Sequence, residues 1–163
     1  MTRSGLRFRP HQERRPRPDR SCAAAVCLLL YAACLIYWMF FGFGRSVHPA
    51  SDEPLRYNLI PFRTIRLYLR AAAWLSPQIV AVNLLGNVAV FVPFGFLLPP
   101  SCRMRSLLEL MLWFIPGIFL VEILQMLLRA GSFDVDDIIL NGLGVWIGYV
   151  LLKLYLRFIR KSG

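Results

Sequence analysis

Four long apolar segments constrain this chain more than any other feature of its sequence. A membrane-spanning helix needs about 20 consecutive apolar residues, and one such run, from Cys22 to Phe41, carries no charge at all. Hydrophobic residues make up 57% of the 163, which leaves too little polar sequence to coat four buried helices in a soluble protein. The sequence therefore predicts an all-α, polytopic membrane protein built as a four-transmembrane-helix bundle. The predicted spans are residues 22–41, 77–98, 106–128 and 137–156.

Prolines interrupt two of these spans. Pro93 lies in the second span, and Pro116 is followed by Gly117 in the third. Proline removes a backbone donor and clashes with the preceding turn of a helix. We therefore expect both spans to be kinked at these positions.

A short amphipathic helix is predicted in the loop between the first two spans, from Arg63 to Leu75. Arg63, Arg66 and Arg70 recur at helical spacing on one face, and apolar residues occupy the other. A helix of this kind lies in the plane of the membrane interface.

The distribution of the 19 Lys and Arg residues predicts the orientation of the chain. With four spans both termini lie on one side, and that side carries 13 of these residues against 6 on the other. Because basic loops stay in the cytoplasm, both termini are predicted to be cytoplasmic. Residues 1–20, rich in Arg and Pro, are predicted to be a disordered basic tail, and residues 21–163 the transmembrane domain. The net charge of +10 follows from this topology, so the expected partner is the lipid bilayer and not a nucleic acid.

Acidic and amide side chains in the second, third and fourth spans recur every three or four residues, which places them on one face of each helix at about 100° per residue. The predicted topology puts all three faces in the outer half of the membrane. A lone charge there costs about 2.5–3.5 kcal/mol, so these faces should meet in one outward-facing polar pocket. The predicted pocket residues are Glu122, Gln125, Arg129, Asp134, Asp137, Asn141, Asn83 and Asn87.

The three aspartates before the fourth span also have a structural interpretation. Asp134 could be the N-cap of that helix, and Asp136 and Asp137 could complement its dipole in the first turn. That interpretation fits Asp137 less well, because Asp137 lies on the same helix face as Asn141.

Structural alternatives exist for the amides and glycines as well. Asn83, Asn87 and Gln125 could form hydrogen bonds that hold helices together. Gly144 and Gly148 form a small-xxx-small pair, which is typical of close helix packing.

The sequence contains no recognisable catalytic constellation. His11 lies in the basic tail and His48 in the outer loop, so neither can form a Ser/His or Cys/His system in the pocket. No His/Cys spacing typical of zinc is present, and no metal or cofactor is expected. Oxygen ligation of a divalent cation and paired-carboxylate acid/base chemistry stay open as alternatives. The simplest interpretation is that Arg129, assisted by Arg63 and Arg66, binds an anionic headgroup or phosphate.

Three blocks of this sequence resemble the VanZ-like family of bacterial membrane proteins. They are NLIPF (Asn58–Phe62), NVAVFVPFGFLLP (Asn87–Pro99) and EILQMLLRAGSFDVDDIILNGLGVWIG (Glu122–Gly148). The resemblance implies a multi-pass protein of the bacterial cytoplasmic (inner) membrane and an association with low-level resistance to the glycopeptide antibiotic teicoplanin. It implies no catalytic mechanism.

The leading hypothesis is a binding role in the cell envelope, with a lipid-linked or glycopeptide-like ligand. The alternative is a small intramembrane hydrolase or transferase that acts on a lipid or lipid-linked phosphate. In that enzyme Glu122 and Asp137 would act as acid/base residues or metal ligands, and Arg129 would bind the anion. A transporter is less favoured, because four spans without an internal repeat would have to oligomerise.

Overall fold

A computed structural model describes residues 20–42 and 54–162. The predicted disordered tail lies outside the described residues except for Arg20, at which the first helix begins. His11 and His48 lie outside them as well. The elements in chain order are α1 (Arg20–Phe41), β1 (Tyr57–Asn58), α2 (Arg63–Ala71), α3 (Pro77–Ala89), α4 (Val92–Cys102), α5 (Leu107–Leu127), β2 (Phe133–Asp134) and α6 (Val135–Ser162).

Within the described residues, four helical segments are long and apolar enough to cross a membrane, as the sequence predicts. They are Ala23–Phe41, Pro77–Cys102, Leu107–Leu127 and Val135–Lys161. The chain is thus a multi-pass helical membrane protein. The bundle has two ends: the polar end carries the α5–α6 turn, and the opposite end carries the α4–α5 turn.

The second span, Pro77–Cys102, is interrupted between α3 and α4, in the turn where a proline kink was expected. The break falls at Val90 and Phe91, just before Pro93, whose ring excludes the helical hydrogen bond to the carbonyl of Ala89. In lipid a carbonyl without a donor is costly. Phe94, the residue after Pro93, donates to the Phe91 carbonyl instead of the Val90 carbonyl. The Tyr31 hydroxyl of α1 donates to the Val90 carbonyl over 2.7 Å, so this carbonyl has a donor from a neighbouring helix.

The other helices differ from the predicted spans mainly in length. α4 continues to Cys102 through two prolines that were predicted to start a loop, and α2 ends at Ala71 instead of Leu75. α6 is longer than predicted at both ends. α5 matches its predicted span and runs through Pro116 without a break.

Close packing on α6 depends on glycines from both partners. A Cβ atom at Gly144 would overlap the Val88 carbonyl oxygen, and one at Gly148 would overlap the Val92 carbonyl oxygen. Gly95 on α4 faces the α6 backbone in the same way. The predicted packing role of the α6 glycines is therefore confirmed, and Gly95 is the partner that the sequence did not reveal.

The fold is organised around α6, which packs against α3, α4 and α5, while α1 packs on α4. Aromatic side chains fill the space between these helices. Phe91 contacts Phe94 and Phe114 at ring-centroid distances of 5.6 Å and 5.4 Å. These rings join the start of α4 to the middle of α5.

Candidate functional site

The candidate site lies where the loop before α2 meets the α5–α6 turn. β1 and β2 pair in parallel, with Tyr57 opposite Phe133 and Asn58 opposite Asp134. The Phe133 amide also donates to the Arg56 carbonyl over 3.1 Å. Two segments more than seventy residues apart are thus joined through their backbones at the polar end.

Asp134 is buried and serves both segments. Its Oδ1 accepts from the Asp136 amide at 2.9 Å, which caps α6 as the sequence suggested, and from Asn58 Nδ2 at 3.0 Å. Its Oδ2 accepts from the Thr64 hydroxyl at 2.6 Å. Both carboxylate oxygens are therefore used to attach the first loop to α6.

The sequence suggested that Asp136 complements the dipole of its own helix, α6. In the structure its carboxylate mainly binds backbone N–H groups of another helix. Asp136 is completely buried, and its carboxylate accepts backbone N–H groups of Phe62, Thr64 and Ile65, the latter two at 2.7 Å and 3.1 Å. These amides form the N-terminus of α2, so Asp136 is the cap and the dipole partner of a different helix. The sequence contains one related signal. Phe62 occupies the N-cap position of α2, and its side chain cannot accept a hydrogen bond from the first N–H groups of that helix.

Asp137 contacts the second span. Asn87 Nδ2 on α3 donates to Asp137 Oδ1 on α6 over 2.6 Å. Asn83, one turn earlier on α3, donates instead to the Ile79 carbonyl of its own helix at 2.7 Å. The structure therefore joins Asn87 to the predicted pocket residues and places the amide nitrogen of Asn83 elsewhere.

Three predicted pocket residues are almost inaccessible to solvent: Glu122 and Asn141 are each 2% exposed and Gln125 is 3% exposed. Gln125 Nε2 donates to the Met39 carbonyl at the end of α1 over 2.8 Å, so this amide ties α5 to α1. Asn141 Oδ1 has no hydrogen-bond donor among residues 20–42 and 54–162. A buried acceptor without a donor is rare in folded proteins.

Arg129 occupies a backbone conformation that glycine usually takes. Its φ is 54°, and it follows Leu128, the C-cap of α5. Ala130 donates to the Gln125 carbonyl and Arg129 donates to the Met126 carbonyl. This is a Schellman motif, whose left-handed residue is usually glycine. A half-buried arginine held at this strained position is consistent with a role for its side chain.

The arginines of α2 line a cleft of about 350 Å³ beside the site. Arg63, Arg66 and Arg70 are exposed, and none forms an ion pair with another described residue. Ile60, Pro61 and Leu67 complete the cleft. Because Asp136 and Thr64 fix the start of α2, this row of cations has a defined position relative to the buried residues.

The carboxylates of Asp134 and Asp136 have structural roles. The oxygens of Asp134 and Asp136 already accept backbone and side-chain donors that hold the fold together. Within residues 20–42 and 54–162, no three His, Cys, Asp or Glu side chains are grouped as ligands of a metal ion would be. The exposed guanidinium groups of α2 are suited to binding an anion.

Comparison with known proteins supports the resemblance that the three blocks indicated. A model of the VanZ/LLP1 family matches residues 28–157. The chain belongs to the VanZ/LLP1 family. The matched region extends beyond the three blocks, from Leu28 in α1 to Arg157 in α6. The similarity to the family therefore includes residues of all four membrane-spanning segments and is not confined to the polar end.

A member of the VanZ/LLP1 family with a similar sequence is Protein VanZ of Enterococcus faecium. It is 28% identical to this chain over 131 residues, which cover 78% of this chain and 70% of the relative. No solved structure matches the chain.

Proposed function

We propose that this protein is a non-catalytic binding protein of the bacterial cell envelope that contributes to teicoplanin resistance. Its ligand is a lipid-linked or other polar molecule with an anionic group, taken up at the polar end of the bundle. The family and the relative from Enterococcus faecium support the envelope role.

The single observation that carries the binding role is the buried Asn141 Oδ1, which lacks a donor in the described chain. It lies one helical turn below Asp137, whose own oxygen accepts from Asn87. A ligand hydroxyl or amide that donates to Asn141 removes the free-energy cost of an unsatisfied buried acceptor, about 1–3 kcal/mol.

The exposed arginines supply the second element of the proposal. Arg63, Arg66 and Arg70 form one face of α2 beside the site, and Arg129 lies at the same end of the bundle. Guanidinium groups bind phosphate and carboxylate in a bidentate manner. A ligand with an anion next to a hydrogen-bonding group would contact both α2 and the buried amide.

The test is teicoplanin susceptibility of cells that express the wild type, Arg129→Ala, Asn141→Leu, Glu122→Gln or Asp137→Asn, each at matched membrane abundance. A binding role predicts that the wild type raises the inhibitory concentration, that Arg129→Ala and Asn141→Leu abolish most of this increase, and that Glu122→Gln retains part of it. Glu109→Gln is the matched control, because Glu109 is a carboxylate of the same helix at the opposite end.

The enzyme alternative gives a different pattern in the same assay. If Glu122 and Asp137 are acid/base residues, Glu122→Gln and Asp137→Asn abolish the phenotype as completely as Arg129→Ala does. If the wild type leaves susceptibility unchanged, the resistance role is wrong for this protein. Thermal stabilisation of the purified protein by teicoplanin or by a polyprenyl phosphate then tests the binding role without the phenotype.

A further inference from the structure

A large apolar groove lies between α1 and α5, away from the polar end. Its volume is about 680 Å³, within the range of sites that hold small molecules. Residues of α1, α4 and α5 form its walls and floor. Among them are Leu35, Met39, Phe94, Leu98, Trp113 and Gly117. We call this feature the lateral groove.

The lateral groove is open to its surroundings along its length. Ile36 on the α1 side is 51% exposed and Trp113 on the α5 side is 71% exposed. Both lie in segments long and apolar enough to span the membrane, so the groove opens into the hydrocarbon layer. The molecules that surround it there are lipid chains.

The dimensions of the lateral groove match one lipid chain. On α5 it extends from Glu109 to Val121, a length of about 18 Å at about 1.5 Å per helical residue. One leaflet of the hydrocarbon core is about 15 Å thick, half of about 30 Å. An acyl chain of one leaflet therefore fills the groove from end to end.

The two ends of the lateral groove differ in chemistry. Toward the polar end it is closed, because Gln125 of α5 donates to the Met39 carbonyl of α1 one turn beyond Val121. At the opposite end it is lined by Cys102 and Met104 of the α4–α5 turn. A lipid chain that lies along the groove therefore has its headgroup at that turn.

Two arginines stand at this open mouth. Arg103 and Arg105 flank Met104, are exposed, and form no ion pair with another described residue. Glu109 also lines the mouth, but its carboxylate accepts the Arg105 amide at 2.9 Å and complements the N-terminus of α5. The mouth therefore carries two positively charged guanidinium groups and one negatively charged carboxylate, that of Glu109, so its net charge is positive.

We propose that the lateral groove binds one anionic phospholipid, with an acyl chain between α1 and α5 and the phosphate between Arg103 and Arg105. This site is independent of the ligand proposed for the polar end. The bound chain completes the packing between two helices that otherwise leave a cavity, and the charged mouth selects anionic over zwitterionic headgroups.

The experiment is native mass spectrometry of the purified full chain after incubation with phosphatidylglycerol or with phosphatidylcholine of identical acyl chains. The wild type should retain one phosphatidylglycerol per monomer. Its preference over phosphatidylcholine should lie between about fivefold and thirtyfold, because each guanidinium at a membrane surface contributes about fivefold. Arg103→Gln with Arg105→Gln should remove this preference, whereas the control Arg157→Gln with Arg160→Gln at the same end should keep it.

Gly117 allows the groove itself to be blocked. A Cβ atom there meets nothing within 4 Å, so Gly117→Leu is accommodated and occupies the space of the acyl chain. It should lower retention of both lipids about tenfold, and Gly117→Ala should do so less. Gly86→Leu is the matched control, since Gly86 is a helical glycine with equally open surroundings on α3.

Several results would overturn the proposal. Gly117→Leu retaining lipid as well as the wild type would place the lipid elsewhere, and an equal loss in Gly86→Leu would make the effect non-specific. Equal retention of the two lipids by the wild type would remove the role of the arginines. A dimer without lipid would show that a second copy of the chain covers the groove.

Discussion

Two adjacent aspartates at the start of α6, Asp136 and Asp137, form hydrogen bonds with different parts of the molecule. Successive side chains on a helix diverge by about 100°, so Asp136 and Asp137 face different partners. Asp136 accepts the first amides of α2, and Asp137 accepts the amide of Asn87 on α3. Two adjacent carboxylates thus position the arginine-bearing helix and the second span relative to α6.

Asp136→Asn should destabilise the protein markedly. The neutral amide presents one acceptor oxygen to three backbone donors, so at least one buried N–H loses its partner and the charge-assisted character is lost. We expect a loss of about 2–4 kcal/mol in unfolding free energy, measured as a lower thermal midpoint of the purified protein in detergent. Glu109→Gln should lower the midpoint less, because the Glu109 carboxylate accepts the single backbone amide of Arg105 and a glutamine oxygen can still accept it. An Asp136→Asn variant that melts with the wild type would contradict the capping role.

The partner of Asp136 could not be predicted from the sequence, although its burial could be anticipated. The N-cap role of Asp134 follows from a local pattern, because the donor is two residues away. The amides that bind Asp136 lie more than seventy residues earlier, and only the packing of α2 on α6 brings them near. The same limit applies to Asn83 and Asn87, which share a helix face but not a partner.

The helical elements meet through glycines at the crossing of α6 with α3 and α4. Gly144 and Gly148 on α6 allow the carbonyl oxygens of Val88 and Val92 to approach the α6 backbone. Small residues at such crossings increase van der Waals contact between helices in lipid, where no hydrophobic effect drives association. The broken second span thereby packs along α6 on both sides of its break.

Gly148→Ala should destabilise the bundle, since the new methyl group meets backbone atoms that cannot rotate away. We expect about 3 kcal/mol lost through overpacking, seen as a lower thermal midpoint and reduced membrane abundance. Gly86→Ala should be neutral or stabilising by up to about 1 kcal/mol, because its surroundings are open and alanine is the better helix former. Equal behaviour of the two variants would exclude close packing at Gly148.

The membrane-spanning segments can be predicted from the sequence, because the length of an apolar run is a local property. The interruptions within these segments are harder to predict. Pro93 predicts an interruption of the second span, but it does not identify what compensates for the lost helical hydrogen bonds. The Val90 carbonyl accepts from Tyr31 of α1, 59 residues earlier, and no local pattern reveals that contact. α4 continues through Pro99 and Pro100, where a loop was expected, since helical backbone is favoured over loop in lipid.

The whole molecule carries basic residues at both ends, and their balance depends strongly on the N-terminal tail. Within the described residues the opposite end holds Arg103, Arg105 and the end of α6, while the polar end holds the arginines of α2 and Arg129. The predicted excess of 13 against 6 arises mainly from arginines before residue 20. The tail is therefore expected to determine orientation.

Reporter fusions test this orientation. A fluorescent protein at the C-terminus should be active and alkaline phosphatase at the same position inactive, because both termini are proposed to be cytoplasmic. Replacing the arginines at positions 3–17 by glutamine leaves nearly equal numbers on the two sides, so we expect a mixed topology with substantial phosphatase activity. An active phosphatase fusion to the wild-type C-terminus would contradict the proposed orientation.

The hydroxyl bond from Tyr31 to Val90 has a consequence for how the chain assembles. Among the described side chains of α1 only Leu28 is buried, so this helix is stable in lipid by itself, as expected for helices that insert before they associate. The acceptor, the Val90 carbonyl between α3 and α4, exists only after both helices have been synthesised. We therefore expect α1 to insert first and to dock on a surface that forms later in synthesis, where the Tyr31 hydroxyl bond helps to fix the rotation of α1 about its axis.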